Sequence, residues 1–175
     1  KNPSIIWSNP VHVVNFAYHG LELNFVDRNT IMDMEDQIAD MIKTEFDKPI
    51  KEMDALDFNN YIYALTHIII GASGYYYRKL PHYKQRYGWI IDIFDKNQKR
   101  IMETSDDLTA EMGIIYVLCG LENRANVYRK EILKRIDKDK GIIISENTDG
   151  DINLCEHTNS LAMMTLHGLK FQMNI

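Results

Sequence analysis

The residues able to do chemistry are few and scattered. Gly71-Ala72-Ser73-Gly74 sets a serine between glycines, as a nucleophile elbow does. The elbow needs glycine two residues before and two after the serine, and here the second glycine comes one residue early. Asp149, Asp151 and Asn153 alternate like calcium ligands. A calcium loop opening at Asp149 needs Gly and Glu where Leu154 and Ser160 stand. Cys155 and His157, with His167 and the distant Cys119, offer zinc-ligand types, but zinc modules carry paired ligands at two ends and only one pair is local here. His67 sits among isoleucines and reads as a hydrogen-bonded core histidine. No P-loop, dinucleotide fingerprint or His-Glu-x-x-His motif occurs. These spacings predict no catalytic residue, no metal site and no cofactor.

Two surface patterns remain. Residues 75–87 (YYYRKLPHYKQRY) interleave five tyrosines with Arg78, Lys79, Lys84 and Arg86 and contain no acid. Tyr76, Tyr77, Arg78 and Tyr83 are the candidates there for contact with a protein partner, since Tyr and Arg dominate interface hot spots. Aromatic faces with guanidinium groups also suit a nucleic-acid strand. The second pattern is acidic. Residues 27–54 hold nine acids against four bases, with Asp33, Asp36, Asp40 and Asp47 on one helical face. Residues 103–111 and 146–156 each add four acids and no base. Such faces are usually solvated. Their sharper use is to steer a basic partner.

The elements that must carry these residues follow from periodicity. Ile31, Met34, Ile38, Met41, Ile42 and Phe46 mark a helix over 30–47, capped by Asn29 or Thr30 and ended before Pro49. Phe58, Tyr61, Ile62, Leu65, Ile69 and Ala72 mark a central helix opening at Asp54 or Asp57. Ser105 caps a third helix through Cys119, and a fourth spans about 121–136. Residues 11–26 read as a hairpin or two short strands, and 89–102 as strand, turn and strand, because both are rich in β-branched and aromatic types. Residues 142–145 and 152–155 flank Asp149-Gly150 as a further hairpin. A short helix to His167 precedes a strand after Gly168. The expected fold is α+β, one domain over 1–175 with a helical core of four main helices and short hairpins.

Composition bounds the rest. The 175 residues carry a net charge of −5, which disfavours a basic nucleic-acid binder. Cys119 and Cys155 form no disulfide framework, so a reducing, cytoplasmic setting is expected, and no apolar stretch suits a membrane span or signal peptide. In size, acidity and clusters such as Asp33–Asp36–Asp40, the chain resembles the immunity proteins of bacterial polymorphic toxin systems, including contact-dependent growth inhibition. That resemblance implies a cytosolic, non-enzymatic protein that occludes a cognate basic toxin, often a nuclease. The alternatives are a nucleic-acid-associated protein using residues 75–87, and a hydrolase assembled from scattered residues such as His67, Cys155 and His157.

Overall fold

The computed structural model describes residues 10–44, 50–144 and 151–168. The chain forms two compact units, Lys1–Gly74 and Tyr75–Ile175. Among the described residues every regular element is helical, and the one β contact is an isolated bridge between Ile136 and Ile143. The expected α+β class is therefore overturned.

In the first unit α1 (Pro10–Glu22) and α2 (Arg28–Thr44) lead through a 3₁₀ turn (Ile50–Glu52) to α3 (Ala55–Ala72). The stretch expected to be strands is α1. Its Val14 and Tyr18 are buried four residues apart, a helical period that β-branched propensity masks. Asp27, rather than Asn29 or Thr30, opens α2 by accepting the Thr30 N–H at 2.9 Å. Asp54 does the same for α3, accepting the Asp57 N–H at 2.8 Å. Leu65 and Ile69 of α3 are fully buried, as expected of a central helix. Gly71 lets α1 close on α3, because a Cβ there would lie 2.3 Å from the Tyr18 ring. One α-helical turn earlier His67 Nδ1 meets Asn15 Oδ1 at 2.8 Å, so the two helices run in the same direction. Tyr18 donates to the buried Glu35 of α2.

The second unit contains α4 (Tyr83–Arg86), α5 (Gly88–Lys96), α6 (Gln98–Thr104), α7 (Asp106–Leu118), α8 (Glu122–Arg135) and α9 (Ile152–His167). The strand–turn–strand expected over 89–102 is α5 and α6. Ile90, Ile91, Phe94 and Ile101 are buried at helical spacing, so tertiary burial outweighs the β preference of isoleucine. The hairpin expected around Asp149-Gly150 also fails, because Asp151 caps α9 by accepting the Asn153 N–H at 2.9 Å. The turn itself, like the strand expected after Gly168, lies outside the described residues. Ser105 caps α7 as expected, accepting the Leu108 N–H at 3.0 Å. Every α7 residue from Leu108 to Leu118 is buried.

Helix α9 packs along α7 through a glycine contact. A Cβ on Gly113 would stand 2.3 Å from Thr165 Cγ2, and Thr165 Oγ1 donates to the Ala110 carbonyl at 3.0 Å. Toward the start of both helices Thr158 Oγ1 donates to Asp107 Oδ1 at 3.0 Å. The order of these contacts makes α7 and α9 parallel, joined by the returning α8. Tyr76, Ile136, Met164 and Leu166 complete the apolar cluster around Ala110, Ile114, Ile132, Ile143, Leu161 and Ala162.

Candidate functional site

The parallel packing of α7 and α9 gathers the one group of side chains with coordinating chemistry found among the described residues. Asp107 and Glu111 are four apart on α7 and so share a face. His157 comes from the second turn of α9. One ligand atom from each of the three lies within 4.8 Å of the others. Asp107 Oδ1 is 3.7 Å from His157 Nε2 and also accepts the Thr158 hydroxyl, which fixes the carboxylate's orientation. Its neighbour Asp106 is turned away, paired with Arg135 at 2.7 Å.

The three differ sharply in burial. His157 is exposed, with 71% of its side chain accessible, Asp107 is half-buried, and Glu111 is only 1% exposed. Glu111 is the single charged residue in 108–118, a stretch of α7 that is buried throughout. Removing a carboxylate from water costs several kcal/mol unless a proton, hydrogen bonds or a cation compensate. Burial across the cluster thus runs from Glu111, inside the packing, to His157 at the surface. Tyr76 approaches the cluster: burial first, then the charges of Glu111 and Asp107, raise its phenol pKa, so the hydroxyl keeps its proton.

Two carboxylates and an imidazole suit Zn²⁺, Mn²⁺ or Co²⁺. Ligands bound at about 2.1 Å can stand no more than about 4.2 Å apart, so closure by about half an ångström is needed, which side-chain torsions supply.

The residues singled out from the sequence fall elsewhere. Asp33, Asp36 and Asp40 are all exposed on α2, opposite the buried Ile31 and Ile38. Asp47 lies outside the described residues. Tyr77 and Arg78 are exposed, but Tyr76 is half-buried and Tyr83 is buried. The tyrosine-rich segment is therefore no continuous stacking platform. Ser73 of the failed elbow donates to the Ile70 carbonyl at 2.6 Å at the end of α3. Cys119 and Cys155 are buried and not joined in a disulfide, and burial pushes the Cys119 thiol up to about 12. Of the zinc-ligand types weighed from the sequence, His157 alone joins the cluster. Asp107 and Glu111 were visible only as members of a base-free acidic run.

No helix among the described residues is long and apolar enough to cross a membrane. The architecture defines an all-helical protein with a carboxylate–imidazole cluster between two parallel helices. The chain belongs to the family described as domain of unknown function (DUF3541), whose model matches residues 1–172. No curated protein and no solved structure matches it.

Proposed function

We propose that Asp107, Glu111 and His157 form a divalent metal centre of the water-activating kind, and that the protein is a metal-dependent hydrolase. The observation that carries this reading is the convergence of two carboxylates and an imidazole, with Glu111 sunk in apolar packing and His157 open to solvent. Structural zinc sites are closed and use four Cys or His ligands. Three protein ligands beside open solvent leave positions for water, whose pKa a bound metal lowers toward neutrality. Thr158 would hold Asp107 in place, as outer partners of metal ligands do.

The test starts from chelator-treated protein titrated with Zn²⁺, Mn²⁺ and Co²⁺ by calorimetry, with the Co²⁺ spectrum as a report on coordination. One ion per chain is expected, with Kd below about 10 μM for the best metal. Glu111→Gln and His157→Ala should each weaken binding at least about tenfold, since loss of an outer partner of a ligand alone costs about 10–100-fold. Metal-loaded protein should hydrolyse p-nitrophenyl esters or phosphates faster than stripped protein. Absence of stoichiometric binding by any of the three metals would sink the reading.

A second reading is favoured by the exposed aspartates of α2. Asp33, Asp36 and Asp40 would dock a basic protein, the role that the resemblance to toxin-immunity proteins implies. Reversing Asp36 and Asp40 to Lys should slow association with a basic toxin domain encoded beside this gene, most strongly at low salt. Stability should change by less than about 0.5 kcal/mol. Equal association rates at low salt would make this face a solvated one.

A further inference from the structure

The second unit carries a cavity beyond the C-terminal end of α7, the end away from Asp107. It is about 500 Å³ and is lined by Tyr83, Lys84, Trp89, Asp92, Leu121 and Arg124. That volume is in the range of small-molecule sites. Glu111 stands seven residues before Leu118, the last residue of α7, so about 10 Å of helix axis lies between it and the end of α7 next to this cavity.

Its walls are built for a particular chemistry. Trp89 is half-buried and, with Tyr83, Ile91 and Leu121, supplies the apolar part of the lining. Arg124 is held from behind. Its Nη2 pairs with Asp95 Oδ2 at 2.6 Å, and the other Asp95 oxygen accepts the Tyr116 hydroxyl at 2.9 Å. Tyr116 is fully buried, so this brace is anchored in the core. A guanidinium has five N–H donors, and the ion pair with Asp95 engages only part of that fork. Lys84 adds a second cation at the cavity wall; with Asp92 on the wall and Asp95 behind Arg124 the formal charges balance, so it is the N–H donors of Arg124 and Lys84 that favour an anion. The helix ends add to them. The cavity meets the first turns of α5, at Gly88 and Trp89, and of α8, at Arg124, and neither helix is capped by the side chain of its N-cap residue, Tyr87 or Leu121. Helix starts carry partial positive charge.

We infer that this cavity binds a small organic anion, a carboxylate or phosphate carried on a flat apolar ring, with Arg124 and Lys84 on the oxyanion and Trp89 against the ring. Asp95 acts as a positioning residue for Arg124. This inference is independent of the metal centre.

The experiment uses the full, chelator-treated chain, so that no metal contributes to anion binding. Phenyl phosphate, benzoate and uncharged benzyl alcohol are titrated by calorimetry, and Trp89 fluorescence is followed in a Trp7→Phe background. One saturable site with Kd below about 1 mM is expected for at least one of the two anions and not for benzyl alcohol. The tighter anion identifies whether phosphate or carboxylate is the preferred source. Arg124→Lys keeps the charge but loses the fork, and should weaken binding at least about tenfold. Trp89→Ala should weaken binding and Lys84→Gln should reduce its salt dependence, neither touching the Asp95 brace. No saturable binding up to about 10 mM by a chain that is folded by circular dichroism would overturn the inference. So would equal affinity for benzyl alcohol, or affinity unchanged by both Arg124→Lys and Trp89→Ala.

Discussion

Gly113→Ala tests the contact on which the α7–α9 site depends. The added Cβ would lie 2.3 Å from Thr165 Cγ2, 2.9 Å from Oγ1 and 3.2 Å from Cβ. Rotating Thr165 to another staggered position still leaves one of Cγ2 and Oγ1 in a crowded place and does not move Cβ, and it breaks the 3.0 Å bond to the Ala110 carbonyl. Overpacking of this kind costs about 1–3 kcal/mol, and the lost hydrogen bond adds about 1 kcal/mol. Alanine's better helix propensity returns about 1 kcal/mol. The expected net loss is about 1–3 kcal/mol in urea unfolding followed by circular dichroism. Because the helices must part to make room, metal affinity should fall with stability. Thr165→Ala removes both Cγ2 and Oγ1, so the double variant should recover part of the loss, with a coupling energy of about 1–2 kcal/mol in a double-mutant cycle. A Gly113→Ala protein as stable as its parent, or more so, would refute the close approach and the geometry of the site with it.

Leu65→Ala should cost about 2–5 kcal/mol, read from urea unfolding of the first unit's helices, because Leu65 is fully buried in α3. Asp27 has a pKa held below its ordinary 3.8, chiefly by the Thr30 backbone N–H. A depressed folded pKa gives stability that is present above about 3.8 and lost as pH falls through the folded value. Asp27→Asn, which caps at any pH, should therefore gain Tm relative to the parent as pH drops below 4, and parallel Tm–pH curves would refute the cap. Cys119, with its thiol pushed up to about 12 by burial, should resist iodoacetamide at pH 8 until the chain is unfolded, as read by mass spectrometry.

Legibility in the sequence followed the clarity of the local signal. Asp54 and Ser105, polar residues just before apolar runs, marked two helix starts correctly. The helices α1, α5 and α6 were hidden because Val, Ile, Phe and Trp favour strands locally, whereas the spacing of Val14 and Tyr18, or of Ile90, Phe94 and Ile101, is helical. The candidate metal centre was not legible in the sequence, where Glu111 counted only as one acid of the run 103–111. Its partner His157 lies 46 residues further on, and only the folded chain brings the two together. The α2 aspartates read clearly as a face, but exposure alone assigns them no partner.

The parallel course of α7 and α9 bears on the order in which the second unit assembles. Helices α7 and α8 are chain neighbours and can pair through a short connection, at little cost in loop entropy. The contact of Asp107 with Thr158 closes a loop of about 50 residues, which costs more loop entropy. Docking of α9 is therefore expected to follow the pairing of α7 with α8, and to be undone before it. Glu111 would be shielded from water only after that step, so assembly and readiness to bind a cation become a single event. Amides of α9 should accordingly exchange with deuterium faster than those of α7, and saturating metal should narrow the difference by holding α9 down.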